Sequence, residues 1–304
     1  MDNKKIIGVL VLIVLIVLGG YYLWTNIEEF KDLRLENWGY IFVMIPLFIL
    51  GYWLVGIVLD VLLRPFGVEM NLKESFMISI VTGFYNLITP FRGGMVARGM
   101  YLKKKHNFAY TDFLATLAAS YVVVFLISSF IGLLSSYLIF IYYAAFNWII
   151  FLIFSGMFLG MLFIVVIAPR FPEGKNRWIN RFVRVINGWH LIKNNKKVIF
   201  YVGVLSVVQI LIGALMLYLQ FKVFGFDVSY LKSLFLTCIG GLGILIAITP
   251  ANLGVAEAIT VFSALTLGIS ATESLGVALL GRAVSIIVLF ILGPLFSWKL
   301  MRKN

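Results

Sequence analysis

The sequence predicts an all-α integral membrane protein with about six transmembrane helices and two re-entrant or broken helical hairpins in inverted-topology repeats. Three observations carry that prediction. The first is composition: 62% of residues are hydrophobic and 12% charged, with a mean hydropathy of +1.03. Several uncharged stretches exceed the roughly 20 residues that cross a hydrocarbon core of about 30 Å. The second is an internal repeat. Leu72-Lys73, Phe76, Ile80, Ile88-Thr89-Pro90, Gly94 and Gly132 recur as Leu231-Lys232, Phe235, Ile239, Ile248-Thr249-Pro250, Gly254 and Gly293, at offsets of 159 to 161. The third is the clustering of Lys and Arg into four segments, the signature of loops on one side of a membrane.

Taken in order, the first predicted span is 6–24, uncharged and ending in Gly19-Gly20-Tyr21-Tyr22-Leu23-Trp24. Bulky aromatics at that end fit an interfacial belt better than a small-residue signal cleavage site, so a retained span is expected. The loop from Thr25 to Asn37 is acid-rich. A second span follows at 40–62, then a hairpin at 76–105 broken at Pro90, then a span at 111–140. The uncharged run from Phe113 to Pro169 covers 57 residues, enough for that span, a turn near Asn147 and another span at 148–168. The basic segment 169–197 holds eight Lys or Arg and one acid, Glu173. Its Trp178, Phe182, Val185, Ile186 and Trp189 share a helical face, which fits an amphipathic helix on the cytoplasmic interface and equally a topology-setting basic loop. A span at 198–221, a hairpin at 230–269 broken at Pro250, and a span at 274–298 complete the chain.

With the N-terminus inside, and each hairpin entering and leaving on one side, all four basic clusters fall in the cytoplasm: Lys4-Lys5, Lys103-Lys104-Lys105, 169–197, and Lys299 with Arg302-Lys303. Both termini are then cytoplasmic and the expected location is the cell membrane. Each half, 1–147 and 148–304, makes three crossings plus a hairpin. An odd number inverts the second half relative to the first, as in many alternating-access transporters. The net charge of +12 follows this topology, so no nucleic-acid partner is expected. Cys238 is the single cysteine, which excludes an internal disulfide and a Cys-based metal cluster.

Broken backbone at membrane depth persists only where protein or a water-filled cavity satisfies it. Pro90, Gly93, Gly94, Pro250 and Gly254 mark the two breaks. Asn252 reads as the N-cap of the helix after the second break. Helix N-termini aimed at the membrane centre favour an anion, and glycine there lets a headgroup approach the backbone. Charged side chains at such depth are costly and face a bundle interior. Arg92, Arg98, Glu257 and Arg282 are the candidates, the arginines being suited to bidentate phosphate binding. Glu257 and Arg282 can equally form a structural ion pair, and Arg98 can simply mark the cytoplasmic interface. His106 and His190 lie in basic loops without a ligand set, so no metal is expected. No nucleophile elbow or P-loop is present, and no cofactor or catalytic residue is called for.

Thr89-Pro90-Phe91-Arg92-Gly93-Gly94 with Arg98, Pro250-Ala251-Asn252-Leu253-Gly254-Val255-Ala256-Glu257, and Leu279-Leu280-Gly281-Arg282 resemble the flippase-type membrane domain of lysylphosphatidylglycerol synthase (MprF) and its stand-alone YbhN-like relatives. The likeness covers nearly the whole chain. It departs at Met95, where the family commonly has an acid, so a site built on one carboxylate from each hairpin would be one short. The resemblance implies movement of a phospholipid or lipid-linked headgroup between leaflets, with a membrane lipid as partner and a homodimer as the assembly. The sequence ends at Asn304 without a segment like the synthase's aminoacyl-transferring domain, so lysyl transfer is not expected. The alternatives are a small-solute secondary transporter, a membrane partner subunit, or a transferase acting on a lipid phosphate. In the flippase reading Arg92, Arg98, Asn252, Glu257 and Arg282 bind the substrate.

Overall fold

The computed structural model describes residues 33–167, 192–246 and 252–302, with isolated positions at 25, 28, 31, 171, 172, 174, 180, 183, 189, 190 and 249. The predicted span 6–24, Pro250 and most of 169–197 lie outside the described residues.

Among the described residues the secondary structure is entirely helical: α1 (Gly39–Leu63), α2 (Leu72–Ile88), α3 (Gly93–His106), α4 (Tyr110–Tyr143), α5 (Trp148–Ile167), α6 (Lys196–Val223), α7 (Tyr230–Leu242), α8 (Val255–Leu265) and α9 (Ala271–Arg302). Five of these, α1, α4, α5, α6 and α9, are long and apolar enough to cross a membrane. They correspond to the predicted spans at 40–62, 111–140, 148–168, 198–221 and 274–298, each within a few residues at either end. The protein is therefore a multi-pass membrane protein. Both predicted hairpins are broken into two short helices, α2–α3 and α7–α8.

Local chemistry sets the boundaries. Each hairpin opens on a polar N-cap: the Asn71 side chain accepts from Lys73 N–H at 3.0 Å, and Ser229 Oγ accepts from Lys232 N–H at 3.3 Å. Asn147 and Asn195 do the same at the starts of α5 and α6. These caps satisfy N–H groups that a helix cannot pair internally. Pro46 lies within α1 and Pro294 within α9; membrane helices tolerate such prolines because neighbouring helices re-satisfy the freed backbone.

The two hairpins have matching surroundings. α2 packs on α1, α3 and α9, and α7 packs on α6, α8 and α4, while α1 and α6 lie against each other at the centre. One apolar cluster joins α1, α2, α3 and α9 through Leu63, Ile78, Leu102 and Leu300. Another joins the second hairpin to its neighbours through Phe154, Phe221, Phe235 and Val277. Most of α5 faces outward, Phe154 and Ile164 being its buried residues. Lipid tails are as apolar as these side chains, so association rests on close packing rather than on expulsion of water.

The basic segment fits either an interfacial helix or a topology-setting loop, and its Trp189 is 3% exposed and packs with Val61, Leu62, Ala119 and Ile192. The 3.6-residue period is right for a buried face, but α1, α4 and α6 supply the apolar partner there. Trp178, Phe182, Val185 and Ile186 lie outside the described residues.

Candidate functional site

The site is built where the hairpins break. At the first break α2 ends at Ile88, Thr89 is extended, and the Thr89 hydroxyl donates back to the Tyr85 carbonyl. Pro90 to Arg92 form a single 3-10 turn, in which Phe91 (φ 54°) and Arg92 (φ 57°) are left-handed. α3 then starts at Gly93 and doubles back onto α2. At the second break Thr249 Oγ1 donates to the Leu253 carbonyl at 2.8 Å, and Asn252 (φ 58°) is left-handed before α8 starts at Val255. Arg92 and Asn252 thus hold the same unusual backbone state at matching points of the repeat. For side chains with a Cβ that state costs about 1–2 kcal/mol per residue, so tertiary contacts must impose it twice.

Two sequence expectations change here. Asn252 does not cap α8. Gly254 (φ 80°) is the N-cap, and its N–H is taken by Glu257 Oε2 at 2.7 Å. The Asn252 Nδ2 instead donates to the Gly243 carbonyl at 3.2 Å, tying the break to the end of α7. The reason is steric: a φ of +80° is open to glycine, so the turn closes two residues later than the cap propensity of Asn suggests. The second change concerns Gly93 and Gly94, which do not serve as an open backbone surface for a headgroup. A Cβ on Gly94 would fall onto the Thr82 carbonyl and Asn86, and one on Gly93 onto the Thr89 side chain. They are glycines because α3 lies directly on α2. Gly94→Ala is therefore expected to destabilise the hairpin by about 1–3 kcal/mol, the usual range for overpacking, as read by thermal unfolding in detergent. A change below a few tenths would mean that α2 and α3 can separate freely.

Between the breaks lies a cavity of about 450 Å³, walled by α1, α2, α6, α8, α9 and both turns. Arg92, Asn252, Glu257 and Arg282 line it, as expected, and the structure brings these four together. Glu257 and Arg282 form an ion pair through Oε1 and Nε, so that α8 is joined to α9. Glu257 therefore uses one oxygen on the helix end and the other on the arginine. Arg92 Nη1 donates to the Tyr121 hydroxyl at 2.8 Å. Arg98 is not part of the cavity wall; it is 5% exposed, with Nε donating to Thr82 Oγ1 at 2.9 Å. It is no interface marker. Among the described residues, Arg92 and Arg98 meet hydroxyls and no carboxylate.

Sequence reasoning missed Tyr52, Asn86, Gln220 and Thr249, which complete the polar wall. The Asn86 and Asn252 Oδ1 atoms are buried and accept no hydrogen bond. Asn86 and Gln220 were discoverable, as amides set among apolar neighbours near the ends of their helices, where an unpaired polar group is costly. Tyr52 carries no such signal.

The far end of the first hairpin is clamped by Glu74, whose Oε1 accepts from Tyr101 Oη at 2.8 Å and lies 2.7 Å from His106 Nε2 and 3.2 Å from Lys105 Nζ. Burial pushes this carboxyl up, but hydrogen bonds from His106, Tyr101 and Lys105 and the Lys105 charge outweigh it, leaving Glu74 below its ordinary value. The second hairpin is clamped differently, by Lys232 Nζ donating to the Leu267 carbonyl at 3.3 Å.

Residues 5–293 match the family described as Lysylphosphatidylglycerol synthase TM region. The chain belongs to that family. No curated protein gives a match to it. The lysylphosphatidylglycerol synthase TM match takes in both hairpins, both left-handed turns and every charged residue of the cavity. It relates the protein to membrane proteins of lipid modification.

Proposed function

We propose that the protein moves a phospholipid or lipid-linked polar headgroup between the two leaflets of the cell membrane, with the central cavity as the headgroup site. The observation that carries this reading is the charge imbalance at the first break. Glu257 and Arg282 neutralise each other, whereas Arg92 and Arg98 meet only hydroxyls among the described residues. α3 adds to the imbalance, since no side chain caps its N-terminus, while the N-terminus of α8 already holds the Glu257 carboxylate. A phosphate is the group that best offsets two guanidinium charges beside an uncapped helix start. The orphan acceptors on Asn86 and Asn252 suit a headgroup that also carries hydroxyl or ammonium donors.

The matching surroundings of the hairpins support the inverted repeat on which alternating access depends. Exchanging α1 with α6, α2 with α7, α3 with α8 and α4 with α9 maps the neighbours of one hairpin onto those of the other. In this scheme residues 1–147 and 148–304 are the repeats, the basic clusters and both termini are cytoplasmic, and the headgroup crosses between the hairpins while its tails stay in the bilayer. The protein acts as a transporter and not as an enzyme.

The test is leaflet exchange of a headgroup-labelled phosphatidylglycerol in proteoliposomes. Losing a charge-assisted hydrogen bond of about 1.5–3 kcal/mol should slow exchange in Arg92→Ala roughly ten- to hundredfold, with monodisperse elution retained. Unchanged exchange removes Arg92 from the path. Uptake of water-soluble glycerophosphoglycerol without lipid exchange would make the protein a solute transporter.

A further inference from the structure

A second large cavity lies away from the first and shares none of its wall residues. It is a groove of about 860 Å³ between α2, α3 and the end of α9. The two sites use opposite faces of α2: Gly83, Asn86 and Leu87 face the central cavity, whereas Ile78, Val81 and Tyr85 face the groove. The groove floor is apolar. Met100 and Met301, on its flanks, are 57% and 66% exposed, as suits side chains facing acyl chains. The rim is basic and aromatic, carrying Lys103 and Lys104, with the Lys103 ammonium 4.7 Å above the Tyr110 ring. The nearby carboxylate, Glu74, is already engaged by Tyr101, Lys105 and His106.

One atom in the groove lacks a partner. Ser297, on the α9 wall, is 8% exposed, and its hydroxyl is buried without a hydrogen bond. Within a helix a serine hydroxyl ordinarily donates back to a carbonyl three or four residues earlier, as Ser79, Ser129 and Ser206 do here. An unbonded hydroxyl in an apolar wall is unfavourable until an acceptor reaches it. The ester carbonyl of a glycerolipid, lying just below its phosphate, is an acceptor that would fit there.

We infer that this groove is a binding site for one anionic phospholipid, its phosphate between Lys103 and Lys104, an ester carbonyl at Ser297 and an acyl chain along Ile78, Val81 and Leu300. Charge complementarity selects the occupant: the rim carries two lysines, and the bilayer on the lysine-rich side presents anionic headgroups. The volume lies within the roughly 300–1,000 Å³ of small-ligand sites. Because the lipid would wedge between the first hairpin and α9, it would set how firmly α2 and α3 are held. That is a resident role, separate from passage through the central cavity.

The experiment is native mass spectrometry of the full chain released from micelles carrying equal amounts of dioleoyl phosphatidylglycerol and dioleoyl phosphatidylcholine. Wild type should retain one phosphatidylglycerol in preference to phosphatidylcholine. At about 1 kcal/mol per lysine near a headgroup, Lys103→Gln with Lys104→Gln should lower that retention roughly thirtyfold. Both lysines are exposed, so the variant should fold. Ala97→Trp should block the groove and remove the bound lipid, and Arg92→Ala should leave it in place. Equal retention of the two lipids, retention unaffected by the lysine pair, or loss in Arg92→Ala alone would each overturn the assignment. The last result would put the lipid in the central cavity, so failure here is separable from failure of the exchange assay.

Discussion

Replacing Arg282 by alanine is expected to lower the stability of the folded protein by about 3–5 kcal/mol, the range for breaking a buried ion pair from one side. Glu257 is 8% exposed. Its Oε2 receives the Gly254 N–H, and its Oε1 faces Arg282. Without the guanidinium, that carboxylate keeps a single backbone donor in a medium that solvates charge poorly. Removing both charges together, as in Glu257→Gln with Arg282→Met, should cost far less, because the uncompensated charge disappears and an amide oxygen can still accept from Gly254. A double-mutant cycle on unfolding in detergent should therefore show a coupling of about 2–3 kcal/mol between the two positions. Additive losses, or an Arg282→Ala cost below about 1 kcal/mol, would mean that the pair is loosely solvated from the cavity and that α8 is held by its apolar contacts alone.

The same pair shows what the sequence could and could not reveal. The repeat predicted both breaks, because Pro and Gly fall together at matching points of the two apolar runs, whereas the isolated Pro46 and Pro294 are absorbed within helices, and the spans followed from length and charge. Glu257 and Arg282 could be matched because each is the lone charge in its neighbourhood. The turn chemistry was less legible. Asn252 has the propensity of an N-cap, yet the chain places Gly254 there because only glycine holds φ near +80° without strain. Gly94 looked like an approach path for a ligand and proved to be the contact of α3 with the Thr82 carbonyl. The cavity wall was the least legible part. Asn86 and Gln220 could be singled out as amides, but Tyr52 lies in a helix whose apolar residues run around nearly all of it, and no periodicity marks which face turns inward. Convergence of that kind depends on how helices pack, and packing between apolar helices in lipid has no polar stripe to announce it.

Arg98 provides the sharpest separation of stability from function. Arg98→Met is expected to raise stability by about 1–4 kcal/mol, as when buried charges are replaced by apolar side chains of similar length, while slowing lipid exchange roughly tenfold or more. Arg98 is 5% exposed, and its Nε bond goes to Thr82 Oγ1. That hydroxyl has a separate partner, donating to the Ile78 carbonyl at 2.6 Å, so methionine would leave no orphan donor behind. An arginine held there solely for the fold would be a poor choice, since a hydroxyl offsets little of the cost of burying a charge. An arginine held there for an incoming phosphate would make sense of the cost, because a headgroup bound beside Arg92 in the proposed site would compensate the charge. Thermal unfolding and exchange measured on the same preparation decide the matter. A destabilised Arg98→Met that still exchanges lipid would assign the residue to the fold and remove it from the headgroup site.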